Sequence, residues 1–386
     1  MQIDYSNVPS PCYICEEQLL ENNLKILKRV QKESGAKIIL ALKGFAMHST
    51  FDLVGKYLHG CTASGLHEAK LAREKMNKEV HTYSPAFKDE EIDEIAALSN
   101  DIVFNSPAQL RRFEKKVRKI NPHISVALRV NPEYSESPVD LYNPCGLYSR
   151  LGTTKANLTK AIEDYGESFL ASIDGLNFHA LCEQDVSALE GVLKAFENNF
   201  GTYIDQMKYI NFGGGHHITK RGYDVRRLIE VIKAFKERHN GIEVYLEPGE
   251  AVGWQSGILL STVLDIVDNG MKIAILDTSA EAHMPDTLAM PYRAEVRGAG
   301  RANEKNYTYR LGGNTCLAGD VMGDYSFDKE LKIGDRVIFE DQIHYTFVKS
   351  TTFNGIKLPS LALWTRENKL KIIKEFGYED YKQRLS

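Results

Sequence analysis

Between Ala36 and about Ala251 one pattern recurs: a short apolar run of strand length, then a stretch whose apolar residues fall at helical spacing. The runs are Ala36–Lys43, Gly60–Ser64, Val80–Pro85, Asp101–Asn105, Ser125–Asn131, Gly175–Leu181, Tyr209–Gly214 and Glu243–Glu247. Leu189, Val192, Leu193 and Phe196 mark one intervening helix, and Leu228, Ile229, Ile232 and Phe235 another. Eight β–α units within a little over two hundred residues is the arithmetic of a closed parallel (β/α)8 barrel of the TIM type. An open doubly wound sheet is the alternative. The first run is not followed by a Gly-x-Gly-x-x-Gly turn, which weighs against it.

After Leu260 the texture changes. Ala294–Val296, Tyr307–Leu311, Arg336–Phe339 and His344–Val348 look like strands separated by Gly, Asp and Asn turns. These patterns predict a barrel over 25–260 and a β-rich domain built from 1–24 and 261–386, with the run Cys12–Cys15 joining the latter. A length of 386 residues suits one large and one smaller domain. A net charge of −4 with no basic stripe makes nucleic acid an unsuitable partner. No apolar run is long enough to cross a bilayer, and residues 1–17 lack a basic segment followed by an apolar one, so a cytoplasmic location is expected. The six cysteines are scattered, as reduced thiols are. Cys12 and Cys15 have no second pair downstream, so they read better as strand residues than as metal ligands, and no metal site is expected.

In such a barrel, chemistry collects at the C-terminal ends of the strands. Four runs end on polar motifs: Leu42-Lys43-Gly44, His179-Ala180-Leu181-Cys182-Glu183, Gly213-Gly214-Gly215-His216-His217 and Glu247-Pro248-Gly249-Glu250. Lys43, leaving an apolar run, is placed either to snorkel to solvent or, half desolvated, to act as a nucleophilic amine toward an aldehyde. The triple glycine is either a tight turn or a backbone cradle for a phosphate, and the two are compatible. Glu247 needs a buried partner, a ring nitrogen or an arginine. His179 suits a stacked ring or a satisfied interior histidine. Beyond the barrel, Cys316 in a glycine-flanked turn, with Asp320 four residues on, reads as a proton donor or as a small buried side chain. Tyr345 offers a phenol to a phosphate.

Taken together, these motifs resemble the fold-type III (alanine racemase-like) pyridoxal-phosphate decarboxylases, the group of diaminopimelate, ornithine and arginine decarboxylases. Within that group they are most similar to the carboxynorspermidine/carboxyspermidine branch. The resemblance covers essentially the whole chain. It also rests on Asn143-Pro144-Cys145, Ser149-Arg150-Leu151-Gly152, Asp277-Thr278-Ser279-Ala280-Glu281, His283-Met284-Pro285-Asp286 and the stretch Cys316 to Asp320. It implies pyridoxal 5′-phosphate as cofactor, held by Lys43 as a Schiff base. Under it, His179 stacks on the ring, Gly213, Gly214 and Gly215 hold the phosphate, Glu247 partners the pyridine nitrogen, and Tyr345 lies near the phosphate. It further implies a homodimer with shared sites, in which Cys316 of one subunit protonates the carbanion formed at the other's site. Two positions depart from the pattern. Glu250 stands where amino-acid decarboxylases generally carry arginine, and Leu317 where diaminopimelate decarboxylases carry an acid. A glutamate suits a cationic tail. The resemblance thus implies decarboxylation of a carboxylated polyamine, with Glu250, Asp277, Glu281, Asp286 and Asp320 as candidate tail contacts. A diaminopimelate or other basic amino-acid decarboxylase is the alternative, and a non-catalytic cofactor-binding relative lies further off.

Overall fold

The computed structural model describes residues 3–137, 139–290 and 292–386. The chain divides into two compact units, Asn22–Val252 and Met1–Glu21 with Gly253–Ser386.

The first unit is a closed parallel barrel. Strand β1 (Cys12–Glu16) precedes it. Its own strands are β2 (Lys37–Ala41), β3 (Gly60–Ala63), β4 (Glu79–Tyr83), β5 (Asp101–Phe104), β6 (Ser125–Arg129), β7 (Gly175–Asn177), β8 (Tyr209–Asn211) and β9 (Glu243–Leu246). Each pairs in parallel with the next, and β9 closes on β2 through Lys37–Tyr245 and Ile38–Leu246. All eight apolar runs are therefore barrel strands. Side chains alternate between the inside and the helix layer. Asn211 turns to Glu247, while the next residue, Phe212, packs edge-on against Phe235 of helix Val225–Arg238 at 4.9 Å. That helix starts where Asp224 accepts the Arg227 N–H at 2.9 Å, and it buries Leu228, Ile229, Val231, Ile232 and Phe235. Inside the barrel, Ile39, Val103, Ala127, Tyr209 and Tyr245 form a core.

The strand starts hold a polar cluster. Lys37 Nζ donates to Glu243 (2.9 Å) and to the Tyr245 hydroxyl (3.0 Å), and that hydroxyl donates to Glu79 (2.8 Å). His81 Nε2 lies 3.0 Å from Glu79, its Nδ1 lies 4.0 Å from Asp101, and the Tyr209 hydroxyl donates to Asp101. Burial pushes the Asp101 carboxyl up to about 6, against the pull of His81. Burial also works against ionised Glu79, but the hydrogen bond and charge of His81 outweigh it and hold Glu79 at about 2. Burial works against charged His81 as well, yet Asp101 and Glu79 raise its pKa above the ordinary value.

The second unit is a mixed sheet. Its strands are β1, β10 (Gly257–Asp268), β11 (Lys272–Leu276), β12 (Gly300–Arg301), β13 (Tyr307–Gly312), β14 (Val321–Phe327), β15 (Arg336–Glu340), β16 (Ser360–Trp364) and β17 (Leu370–Lys374). Their order among the described residues is β12-β14-β13-β11-β10-β1-β16-β17, with β15 beside β10. The long β10 serves two neighbourhoods. Its first half pairs with β1 and β15, and its second half with β11. Val8, Cys12, Ile14, Ile258, Leu260 and Ala362 form the core of this unit.

Two expected strands are corrected. Tyr345–Val348 is a helical turn in which the Val348 N–H bonds the His344 carbonyl at 3.1 Å. The expected strand, His344–Val348, is five residues, too short for its apolar spacing to tell strand from helix. Ala294–Val296 forms only the isolated bridge Val296–Phe339.

Candidate active site

At the C-terminal ends of the barrel strands the chain approaches itself closely. The Ala41 N–H bonds the Pro248 carbonyl at 3.0 Å, and a Cβ on Gly44 would lie 2.8 Å from both the Glu250 nitrogen and the Gly249 Cα. The loops carrying Lys43 and Glu247–Glu250 are thus held in contact by backbone. The triple glycine is wedged into the same rim. Gly213 and Gly215 sit at φ +70° and +90°, and a Cβ on Gly214 would meet the Glu247 carbonyl oxygen at 2.2 Å. Only glycine satisfies both demands. Among the described residues the Gly215 and His216 N–H groups donate to no protein acceptor. The loop therefore keeps backbone donors for an anion, as a phosphate needs.

Lys43 lies two residues past the end of β2 and keeps accessible surface. Loss of hydration and the nearby Arg129 guanidinium lower its pKa, and Glu247 opposes the shift. An amine with a depressed pKa keeps more of its nucleophilic neutral form. His179 is fixed by the loop, because the Gly214 N–H donates to its Nδ1 at 2.9 Å. A backbone N–H can only donate, so Nδ1 is the bare nitrogen and the proton of the neutral ring sits on Nε2. Burial, Lys43 and Arg129 all push this histidine's pKa well down, in keeping with a neutral ring. Glu247 receives the Asn211 side-chain amide at 2.7 Å, and its own N–H donates to the Gly213 carbonyl at 2.7 Å. Glu250 opens the short helix Glu250–Gly253 and lies 3.3 Å from His217 Nε2.

The barrel thus brings Lys43, His179, Gly213–Gly215, Glu247 and Glu250 together. The remaining expected residues lie in the sheet unit. Cys316 is exposed on a loop, and its N–H donates to Asn354 at 2.8 Å. Asp320 is buried and accepts five hydrogen bonds. Oδ1 takes the Ser279 hydroxyl (3.0 Å) and the N–H groups of Ala280 (2.7 Å) and Glu281 (3.3 Å), and Oδ2 takes the N–H (3.1 Å) and hydroxyl (2.6 Å) of Thr315. It therefore ties the Cys316 loop to the turn bearing Glu281. Asp277 accepts from the Ser261 hydroxyl and the Thr262 N–H, both at 2.8 Å. Asp286 forms an ion pair with Lys349, which follows the Tyr345–Val348 turn.

Sequence reasoning gave no role to three residues of the rim: Arg129 and Asn211, and His217, which it quoted within the glycine motif. Arg129 is buried, donates to the His179 carbonyl at 3.2 Å and lies over the Tyr83 ring at 4.7 Å. Its signal was the one that marked Lys43, a cation ending the apolar run Val126-Ala127-Leu128.

A family model described as pyridoxal-dependent decarboxylase, C-terminal sheet domain, matches residues 12–342. The chain belongs to the pyridoxal-dependent decarboxylases. Among its relatives, the carboxynorspermidine/carboxyspermidine decarboxylase of Campylobacter jejuni is 56% identical over 98% of this chain and 99% of that one. The carboxyaminopropylagmatine decarboxylase of Synechocystis is 45% identical over 98% of this chain and 96% of that one. The crystal structure of carboxynorspermidine decarboxylase from Campylobacter jejuni, complexed with norspermidine, superposes with a TM-score of 0.90 at 53% identity, covering 98% of this chain and all of the other. The lysine, the glycine loop whose Gly215 and His216 N–H groups meet no protein acceptor among the described residues, and the carboxylate beside them fit the cofactor that gives the decarboxylase family its name.

Proposed function

We propose that this chain is a pyridoxal-phosphate-dependent carboxy-lyase of polyamine biosynthesis, converting carboxynorspermidine and/or carboxyspermidine to norspermidine or spermidine and carbon dioxide. The observation that carries the substrate class is Glu250, an acid paired with His217 beside the Lys43 loop where amino-acid decarboxylases generally carry arginine. A carboxylate there attracts a cationic chain and repels a second carboxylate. Bound pyridoxal phosphate supplies the electron sink for the carbanion left when carbon dioxide departs. The chain's residues do the rest. Lys43 would hold the cofactor through its aldehyde, His179 would stack on the ring, and the loop Gly213, Gly214 and Gly215 would receive the phosphate through the Gly215 and His216 N–H groups, with Tyr345, while the Gly213 and Gly214 N–H groups stay on Asn211 and His179. Glu247 keeps the ring nitrogen protonated, and Cys316 of a second subunit returns a proton to Cα. Glu250, Glu281 and Asp286 face the tail. Asp320, with both oxygens occupied, ties the Cys316 loop to the turn bearing Glu281, and Asp277 accepts from β10 through Oδ1, which leaves Oδ2 to the tail. We place the enzyme in the cytoplasm as a homodimer.

A second reading, a carboxyaminopropylagmatine decarboxylase, is favoured by the 45% identity to the Synechocystis enzyme and differs in ending the tail with a guanidinium. Carbon dioxide release by purified protein from both carboxylated triamines, carboxyaminopropylagmatine, diaminopimelate, ornithine and arginine separates the readings. Highest kcat/KM on a carboxylated triamine is expected, whereas highest kcat/KM on diaminopimelate, ornithine or arginine overturns the proposal. Borohydride reduction followed by peptide mapping should fix the cofactor on Lys43, and labelling of another lysine would overturn that assignment.

A further inference from the structure

Asn211, the last residue of β8, is fully buried between the two cofactor-facing loops. Its side chain spans them, with Oδ1 accepting the Gly213 N–H at 2.8 Å and Nδ2 donating to Glu247 Oε1 at 2.7 Å. The orientation of this amide is not free. The Gly213 N–H can only donate, so the oxygen must face it, and the NH2 is left to face the carboxylate. The main chain repeats the link in the opposite direction, from the Glu247 N–H to the Gly213 carbonyl at 2.7 Å. One oxygen of Glu247 is therefore committed to Asn211, and Oε2 is left for a ring N–H. Among the described residues, Lys43, His81, Tyr83 and Asp101 face the charge of Glu247 from elsewhere in the barrel. Asn211 is the neutral neighbour that touches it.

We propose that Asn211 is a positioning residue that fixes the Glu247 carboxylate relative to the glycine loop, so that ring-nitrogen partner and phosphate cradle keep one spacing. The inference rests on the reading that Glu247 meets the ring nitrogen and the glycines meet the phosphate. An aspartate at this place would keep the bond from Gly213 but turn an acceptor toward Glu247. Two carboxylates at hydrogen-bond distance cannot both stay ionised, and the pair would hold a shared proton. Glu247 would then be a poorer partner for a protonated ring.

The test compares Asn211→Asp, Asn211→Ser and Glu247→Gln holoenzymes. It reads the pH titration of the bound cofactor's absorbance, with kcat and KM on a carboxylated triamine and thermal unfolding as a check on folding. Asn211→Ser removes the bridge without adding a charge, so it carries the test if the aspartate variant does not fold. Expected for Asn211→Asp is a shifted absorbance titration and a kcat lowered roughly 10- to 100-fold, with KM changed by less than about 2-fold. The serine variant should lose kcat in the same way with a smaller titration shift. Wild-type titration and kcat in both Asn211 variants, with Glu247→Gln impaired, overturns the role of Asn211 while leaving that of Glu247 standing. A loss of kcat with an unmoved titration in both variants makes Asn211 merely structural and also overturns it. An unimpaired Glu247→Gln instead overturns the underlying reading of the ring-nitrogen partner.

Discussion

The most consequential single residue for substrate choice is Glu250. Its carboxylate is largely buried, with its side chain 15% exposed, and its neighbour His217 is 8% exposed. A partly desolvated carboxylate that pairs with a substrate cation contributes about 1.5–3 kcal/mol. Glu250→Gln should therefore lower kcat/KM for carboxylated triamines by roughly 10- to 100-fold, with cofactor absorbance unchanged. Glu250→Arg should cost more, through direct repulsion of the tail. Steady-state kinetics at low salt checks both, and near-wild-type values in Glu250→Gln would remove the acid from tail recognition. The rim positions of Lys43, His179 and Glu247 were legible in the sequence because each ends an apolar run, and a polar residue there has to leave the core at the rim, whereas Glu250 stood out only through the family resemblance. Asn211 was not legible. Inside Tyr209-Ile210-Asn211-Phe212 it looks like any polar strand residue, and its importance comes from Glu247, thirty-six positions away.

At the scale of elements, the barrel strands were readable because each is a short apolar run bounded by turns. The sheet strands were harder to find. β10 runs twelve residues and serves two neighbourhoods, so its burial changes along its length from buried to exposed and shows no single period. Missing from any such reading is the cluster at the strand starts, since Glu79, His81, Asp101 and Tyr209 come from three strands and meet only when the barrel closes. This cluster has a consequence for stability. Burial raises the Asp101 carboxyl from 3.8 to about 6. A group whose folded pKa is raised contributes stability that is fully present below its unfolded value and is lost as pH rises through the folded one. Between about pH 4 and 6, then, Asp101 should make the wild-type barrel progressively less stable. The side-chain amide of an Asp101→Asn variant mimics the neutral acid and still accepts from Tyr209. The variant should match the wild type near the acid end of this window and melt a few degrees higher at neutral pH. Thermal unfolding followed across that range checks it. A variant less stable than wild type at neutral pH, with the deficit closing in acid, would mean that His81 stabilises the ionised carboxylate by more than burial opposes it.

For the whole molecule, the division of labour between the two units sets the last prediction. The residues proposed to hold the cofactor ring and aldehyde, Lys43, His179 and Glu247, all belong to the barrel unit, whereas Cys316 belongs to the sheet unit. Cys316 is exposed on its loop, and the next residue, Leu317, is 40% exposed. The loop is nonetheless ordered locally, by Asn354 at the Cys316 N–H and by Asp320 at Thr315. An exposed thiol on a firmly anchored loop suits a group presented to a second subunit, because the anchor fixes its position before the partner arrives. If Cys316 acts across a homodimer, Lys43→Ala and Cys316→Ala subunits are each inactive alone but complementary when mixed. In a hybrid dimer one site has both residues replaced and the other has both intact. Random exchange makes half of the dimers hybrids with one working site of two, so activity should recover to about a quarter of wild type. Subunit exchange is followed separately, by differently tagged subunits and co-purification, so that absence of mixing is not mistaken for absence of complementation. With exchange demonstrated, recovery near a quarter places the proton donor in trans. No recovery places Cys316 in the same chain's site or outside the reaction. Asp320→Asn sharpens the outcome. An amide cannot accept the Thr315 bonds while also accepting those of Ser279, Ala280 and Glu281, so it should loosen the Cys316 loop without touching the barrel. Its kcat should fall while cofactor absorbance stays at the wild-type value.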